Sequence, residues 1–151
     1  MKVDRGDDWA ELSQKRHIED LAKQYRLQNC KPVQTPMDSN LVLTPNHEDL
    51  PDLPYRALIG SLWWIVRNTR PDAFYSVAHL AKFSNSYSHK HFVALKRVLQ
   101  YLVTAVDYKM RYVRREVRDG SDVQVYAFSD KHRFPNITGD ASELTTFVDS
   151  D

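Results

Sequence analysis

Residues 54–83, PYRALIGSLWWIVRNTRPDAFYSVAHLAKF, constrain the fold of this chain strongly, because apolar side chains recur there at helical spacing. On a helix with about 100° per residue, six apolar side chains share one broad face: Tyr55, Leu58, Ile59, Leu62, Ile65 and Val66. A face that wide predicts a largely buried helix. Arg56, Gly60 and Arg67 fall together on another side, with Trp64 next to them and Trp63 at the margin of the apolar face.

Two more helices are expected after this one. Pro71 suits the first turn of a helix, where its missing N–H is not needed, and Asp72 complements the positive end of the helix dipole. An apolar stripe (Val77, Leu80 and Ala81) continues this second helix to about Phe83. A third helix, from about Ser88 to Thr104, has a core face formed by Phe92, Leu95, Val98, Leu99 and Leu102.

The outer side of the third predicted helix carries cations and an aromatic ring. Lys90, Arg97 and Tyr101 lie opposite its core face, with Lys96 and His89 beside them. Contact with a nucleic-acid backbone requires cations, and stacking on bases requires an exposed aromatic ring. We therefore predict nucleic-acid contacts from seven residues: Arg56, Arg67, Arg70, Lys90, Lys96, Arg97 and Tyr101.

The remaining segments complete an α+β fold. A short hairpin is expected around Gly6-Asp7-Asp8, followed by a helix that Ser13 caps and that runs to about Leu27, with Ile18, Leu21, Ala22 and Tyr25 on one face. Residues 29–54 contain five prolines and no helical period, which predicts an extended connection. Strands are expected over residues 109–113, 123–128 and 144–148, the first two pairing as a hairpin. The predicted fold thus has an N-terminal hairpin and helix, a central bundle of about three helices, and C-terminal strands.

The charges are distributed unevenly along the chain. Residues 54–115 contain eleven Lys or Arg and two Asp or Glu, a net charge of +9, although the whole chain has a net charge of only +1. Residues 1–53 contain seven cations and ten anions, and residues 116–151 contain three and eight. A basic block between two acidic segments indicates either a polyanion-binding surface or a solvated helical surface. Charge alone leaves both interpretations open.

Several classes of protein and site are not favoured by the sequence. The N-terminus has no apolar region of a secretory signal, and the longest apolar run, residues 62–66, is far shorter than the ~20 residues that span a bilayer. The expected location is therefore cytoplasmic or nuclear, without membrane association. The single cysteine, Cys30, allows no internal disulfide, and the six histidines show no zinc-ligand spacing. Asp149 and Asp151 share one side of the last predicted strand, which by itself is too little for a magnesium site.

The order of five motifs resembles the Pol polyprotein of copia-type LTR retrotransposons. These motifs are Leu12-Ser13-Gln14, Thr35-Pro36-Met37, residues 55–62 (YRALIGSL), residues 69–72 (TRPD) and residues 96–102 (KRVLQYL). Together they extend over about 100 residues. The resembled region follows the reverse transcriptase active site and leads into RNase H. The resemblance implies three segments: the end of the palm with the proline-rich connection (1–53), a basic helical thumb or connection (54–115), and the start of an RNase H-like domain (116–151).

The resemblance also implies which catalytic residues to expect. The family's Tyr-Val-Asp-Asp motif, which binds the metal ions of polymerisation, does not occur in this sequence. The first RNase H carboxylate corresponds to Asp149, with Asp130 as the alternative, because each follows a predicted strand. The parent family uses magnesium, but we expect no cofactor and no catalysis from this chain.

Two functions remain open at this point. The first is a non-catalytic Pol segment whose basic helical surface holds an RNA–DNA hybrid or DNA duplex. The second is a helical protein-interaction module, or a retroelement remnant without activity of its own, in which the apolar surface around Trp63 and Trp64 drives self-association.

Overall fold

The computed structural model describes residues 1–116 and 122–129, with side chains described for residues 1–113. Its elements, in chain order, are β1 (Lys2–Arg5), β2 (Trp9–Ser13), α1 (Lys15–Gln24), α2 (Tyr55–Asn68), a 3-10 turn (Pro71–Ala73), α3 (Phe74–Ala81), α4 (His89–Thr104), β3 (Lys109–Glu116) and β4 (Asp122–Ser129). The α+β fold predicted from the sequence is confirmed. The strand predicted over residues 144–148 lies outside the described residues.

The four strands form one antiparallel sheet in the order β1-β2-β3-β4. The N-terminal hairpin pairs β1 with β2, and the second hairpin pairs β3 with β4. β2 joins the two hairpins by pairing with β3, so that Leu12 lies opposite Met110 and Trp9 opposite Val113. The sheet therefore contains strands from all three predicted segments, and the division of the chain into those segments stays a prediction.

The helices pack around one apolar core. All six apolar positions predicted for α2 are buried, as are Ile18, Leu21, Ala22 and Tyr25 of the first helical region. On α4, Leu95, Val98, Leu99 and Leu102 are fully buried, whereas Phe92 packs partly exposed against the core. The helical periodicity of the sequence thus identified the core faces correctly.

The first helix ends earlier than predicted, whereas the predicted contact of Ser13 with its N-terminus is present. Ser13 is the last residue of β2, α1 begins at Lys15, and the Lys15 N–H donates to the Ser13 hydroxyl at 3.3 Å. The helix ends at Gln24 because Arg26 adopts a left-handed backbone conformation, with φ of 57°. This conformation lets the Leu27 N–H donate to the Ala22 carbonyl at 2.8 Å, which satisfies one of the last helical carbonyls. The region around Pro71 differs too, because Pro71–Ala73 form a 3-10 turn before α3 begins at Phe74.

The proline-rich connection follows the outside of the helices, in agreement with the extended course predicted for it. Its first part crosses α4, where the Lys31 carbonyl accepts a hydrogen bond from Gln100 at 2.6 Å and the Val33 N–H donates to Thr104 at 3.2 Å. Its second part reaches the turn between α3 and α4, where the Asn46 N–H donates to the Ser86 carbonyl at 2.7 Å. The connection therefore covers a part of α4 that the sequence had assigned to solvent.

His91 closes the N-terminus of α4 through a capping box. The Ser88 N–H donates to His91 Nδ1 at 3.1 Å, so Nδ1 acts as an acceptor and the imidazole is neutral. His91 is 1% exposed and packs against the Phe83 ring, with the ring centroids 4.4 Å apart. Burial lowers the pKa of His91, and the nearby His79 lowers it further. Protonation would remove the acceptor on which the cap depends.

We expect the free energy of unfolding to decrease as the pH falls from 7 towards 5. Below the unfolded-state pKa of about 6.5, the unfolded chain binds a proton at His91 that the folded chain does not take up until its own, lower pKa is reached. His91→Gln keeps an acceptor for the cap and should flatten this dependence. His47→Gln, at an exposed position, serves as the control. Urea unfolding at several pH values measures the effect, and equal slopes for both variants would contradict it.

Candidate nucleic-acid interface

The exposed side of α2 carries four residues at helical spacing. Arg56, Gly60, Trp64 and Arg67 stand at positions i, i+4, i+8 and i+11, which lie above one another on one face. All four are exposed, and the Trp64 side chain is exposed to 56%. An open cleft of about 550 Å³ lies along this face, lined by Gly60, Trp63, Trp64, Arg67 and Asn68. We call Arg56, Gly60, Trp64 and Arg67 the α2 face.

Trp64 is held in place although it is exposed. With its amide oriented to satisfy its neighbours, Gln14 accepts a hydrogen bond from Trp64 Nε1 at 3.0 Å and donates to Thr69 Oγ1 at 2.7 Å. The neighbouring Trp63 packs edge-on against Phe74, with the ring centroids 5.0 Å apart. The α2 face therefore presents a positioned indole ring and not a freely rotating one.

Gly60 has no role in the internal packing of the described residues. A Cβ at this position would have no atom within 4 Å. A glycine within a helix is about 1 kcal/mol less favourable than alanine, so the fold would be more stable with a side chain here. The glycine leaves a shallow place between Arg56 and Trp64 where another molecule can approach the helix backbone closely.

The two arginines of the α2 face differ in their contacts. Arg56 donates to the Ser84 carbonyl at 2.9 Å and to Asn85 Oδ1 at 2.8 Å, which fixes its guanidinium beside the turn between α3 and α4. That turn region also carries exposed Lys82, His89 and Lys90. Arg67 is exposed at the other end of the face. Residues 73–106 contain four Lys or Arg and no Asp or Glu, so the helices next to α2 add positive charge without local compensation.

The predicted residues of α4 are only partly available at the surface. Lys90 is exposed, whereas Lys96 and Arg97 are half-buried. Arg97 Nη2 donates to Thr35 Oγ1 of the connection at 3.3 Å. No local pattern predicted this contact, because the two residues are 62 positions apart.

Arg70 lies in the core, where it cannot contact a duplex in this conformation. Its side chain is fully buried and forms an ion pair with Asp72, with 2.7 Å between Nη2 and Oδ2. It also donates to the Ala105 carbonyl at 2.8 Å and lies over the Tyr101 and Tyr108 rings. The prediction that Arg70 contacts nucleic acid fails here because charge and sequence position do not show which cations later parts of the chain enclose.

Tyr101 belongs to the same internal cluster as Arg70. Its hydroxyl donates to Asp72 Oδ2 at 2.9 Å. Burial, together with the negative charge of Asp72, raises the pKa of Tyr101 to about 12. The ring is therefore engaged by Arg70 and Asp72 and is not a free stacking surface on α4.

The predicted carboxylates Asp130 and Asp149 lie outside the described residues. Within residues 1–116 and 122–129, no group of three or more His, Cys, Asp or Glu could hold a metal ion. Over the same residues, none of the helices has the length and apolar content needed to cross a bilayer.

Three curated proteins are similar to most of the chain. The Pol polyproteins of transposons RE2 and RE1 from Arabidopsis thaliana are 36% and 33% identical to it over 121 residues, or 79% of its length. The corresponding protein of transposon TNT 1-94 from Nicotiana tabacum is 30% identical over 99 residues, or 60% of its length. The chain is a homologue of a segment of retrotransposon Pol polyproteins. The copia-type resemblance is thereby confirmed.

The match covers only a small part of these relatives. The chain spans 8% of the length of each of the three Pol polyproteins. No protein-family model matches the chain, and no solved structure does either. The Pol homology therefore says which kind of polyprotein the segment resembles, while the role of the segment has to be inferred from its own residues.

Replacement of Arg70 should destabilise the chain strongly. Arg70→Gln leaves the Ala105 carbonyl and the Asp72 carboxylate without their shared cation, and we expect a loss of about 3 kcal/mol in the free energy of unfolding. Arg67→Gln is the matched control at an exposed position and should change stability by less than about 0.5 kcal/mol. Urea titration measures both. Equal effects of the two variants would show that the buried cluster is not important for stability.

Proposed function

We propose that this Pol segment holds a nucleic-acid duplex, in particular an RNA–DNA hybrid, and that it does not itself catalyse. The observation that carries the proposal is the α2 face, where Gly60 opens the helix surface between Arg56 and a fixed Trp64, and exposed Arg67 follows beyond Trp64. A duplex backbone needs positive charge beside it and room to approach, and this face offers both.

The chemistry of the α2 face fits a large, negatively charged ligand that is bound without base-specific contacts. Arginine guanidinium groups bind phosphate oxygens, and most protein contacts to duplexes go to phosphate and sugar. A flat indole edge next to a glycine suits packing against the sugars of a groove. The acid-free stretch over residues 73–106 extends the attraction to the turn beside Arg56.

The Pol homology supports the same class of ligand. The relatives are retrovirus-related Pol polyproteins. The copia-type resemblance of the motifs implies a polymerase coupled to RNase H. A segment between two such activities has to accommodate the hybrid that one produces and the other cleaves. We propose binding as its contribution, and we expect no primer extension and no hybrid cleavage when the chain is assayed alone with magnesium.

A second candidate function is protein interaction through exposed aromatic rings. Trp64, Phe74 and Tyr75 are exposed to 56%, 42% and 71%, which is a large apolar area on neighbouring helices. Exposed apolar area favours association between protein surfaces where it forms a patch. Sedimentation of the chain without nucleic acid separates the two candidates, because the interaction module predicts dimers or larger species at micromolar concentration and the duplex-binding segment predicts a monomer.

Binding to a short RNA–DNA hybrid should depend steeply on salt and on two exposed cations. Displacement of counterions by a few cations predicts a loss of at least tenfold in affinity between 50 and 200 mM salt. Lys90→Glu combined with Arg67→Glu should weaken binding by about tenfold or more at low salt. A double variant of α1, Lys15→Glu with Lys23→Glu, changes the net charge equally at exposed positions away from α2 and is the control. Fluorescence anisotropy measures the affinity of each variant for the hybrid. Equal losses of affinity in both double variants would contradict a specific site, because they would reflect the net charge alone.

Substitution of Gly60 should affect stability and binding in opposite directions. Gly60→Ala adds a Cβ into open space and should stabilise the chain by roughly 1 kcal/mol. The same methyl group stands between the helix backbone and an approaching duplex, so the affinity for the hybrid should fall several-fold, and Gly60→Leu should lower it further. Thermal unfolding and anisotropy on the same preparations give the two readouts. A stabilised Gly60→Ala chain with unchanged affinity would exclude close approach at this position.

A further inference from the structure

The proline-rich connection contacts one stripe of α4 through alternate residues. Arg97, Gln100 and Thr104 lie on that stripe at spacings of three and four, and they meet Thr35, Lys31 and Val33 respectively. Thr35 is exposed, belongs to a segment without regular structure, and precedes Pro36, which favours an extended backbone at Thr35. Its hydroxyl is held by one long hydrogen bond of 3.3 Å, so its release costs little.

The guanidinium beside Thr35 has an unused donor. Arg97 Nη2 donates to Thr35 Oγ1, whereas Arg97 Nε is buried and has no hydrogen-bond partner within the described residues. Nε and Nη2 form one edge of the guanidinium group, and this edge binds two oxygens of a carboxylate or phosphate at once. A hydroxyl group uses only one of the two donors. A buried donor without a partner is unfavourable, and a second oxygen at Thr35 would satisfy it.

We propose that Thr35 is a phosphorylation site whose phosphate is bound by the Nε–Nη2 edge of Arg97. The co-reactants are ATP and a proline-directed protein kinase, the class that accepts Ser or Thr followed by Pro. The Thr35 Oγ1–phosphorus bond forms as the bond from the γ-phosphorus to the bridging oxygen breaks, ADP leaves, and the hydroxyl proton passes to the base of the kinase. The product keeps Oγ1 as the bridging oxygen and adds three phosphate oxygens, two of which can accept from Nε and Nη2 together.

Phosphorylation at Thr35 would oppose duplex binding, and this consequence rests on the function proposed above. The phosphate carries about −1.5 to −2 charges at neutral pH. Lys90 and Arg97 are seven residues apart on α4, or about 10 Å along the helix, which is close to the Debye length at physiological salt. The phosphate thus neutralises Arg97 and reduces the positive potential near Lys90.

The chain contains a matched control for this proposal. Thr44-Pro45 is the only other Thr-Pro dipeptide in the sequence, and Thr44 is exposed in the same connection. Among the described residues, no hydrogen bond joins the Thr44 side chain to an arginine. A phosphate at Thr44 therefore adds the same charge without the guanidinium edge.

The phosphate–Arg97 contact can be tested on full-length chains that carry phosphothreonine at position 35 or at position 44. The ³¹P NMR titration midpoint of phosphothreonine 35 should lie about one pH unit below that of phosphothreonine 44, because a contacting cation favours the dianion. Arg97→Gln should remove the difference. Equal midpoints in the native background, or a difference that persists in Arg97→Gln, would overturn the proposal. This readout does not depend on whether the chain binds nucleic acid.

Modification and its effect are tested on the unmodified protein and on the same phosphorylated chains. A proline-directed kinase with ATP should phosphorylate Thr35 of the folded chain, as detected by mass spectrometry, and Thr35→Val should lose that product while retaining any product at Thr44. Phosphate at Thr44 but none at Thr35 would overturn the proposal. Phosphothreonine 35 should weaken hybrid binding by about tenfold at low salt, and phosphothreonine 44 by less. If the unmodified chain does not bind the hybrid, the proposed function fails, while the ³¹P result still decides the phosphate site.

Discussion

The arrangement of the helices depends on one buried cation. Arg70 lies between the end of α2 and the 3-10 turn. Its guanidinium donates a hydrogen bond to the carbonyl of Ala105, the residue directly after α4. Removing an arginine from water is unfavourable by several kcal/mol unless charge and hydrogen bonds replace the lost hydration. Asp72 supplies the charge, and the Tyr101 and Tyr108 rings cover two sides of the group. Because Asp72 lies in the 3-10 turn after α2 while Tyr101, Ala105 and Tyr108 lie in α4 and the segment that follows it, the cluster fixes the end of α2 relative to the end of α4.

The positive charge of the central segment is smaller at the surface than in the sequence. Arg70 is enclosed, Arg97 is held by the connection, and two cations of β3, Lys109 and Arg111, pair with the acidic N-terminal hairpin. There Lys109 and Arg111 both meet Glu11, at 2.9 and 3.7 Å, and Glu11 raises the pKa of Lys109. The acidic flank of the sequence thus partly neutralises Lys109 and Arg111 within the fold. Among the described side chains of residues 54–113, the exposed cations lie on α2 and around the turn between α3 and α4, which is why the α2 face is the better candidate for contact with a polyanion than the middle of α4.

Local patterns predicted the elements, and they could not predict the contacts between them. The apolar period of residues 55–66 identified the buried face of α2 because burial of one helix face depends only on spacing of 3.6 residues. Pairing of β2 with β3 was not predicted, since it joins residues about 100 positions apart. Arg70 and Arg97 were assigned to the surface for the same reason: a cation looks alike in sequence whether solvent or a distant carboxylate, carbonyl or hydroxyl surrounds it. Gly60 was noticed on its helix face, but only the three-dimensional surroundings show that no internal contact requires it.

Trp64 of the α2 face is held in one orientation because the side chain at the N-cap position of α1 hydrogen-bonds the indole and does not cap its own helix. Gln14 is the N-cap residue of α1, and its side chain makes no capping hydrogen bond. A good cap would stabilise that helix by about 1 kcal/mol. The Gln14 amide instead reaches Trp64 and Thr69, which are 50 and 55 residues away, and ties the exposed indole to the junction of β2 and α1. A tryptophan that only packs against the core does not need a hydrogen bond to its exposed indole. An indole ring that contacts a ligand benefits from that hydrogen bond, because a ring that is already fixed does not lose conformational entropy on binding.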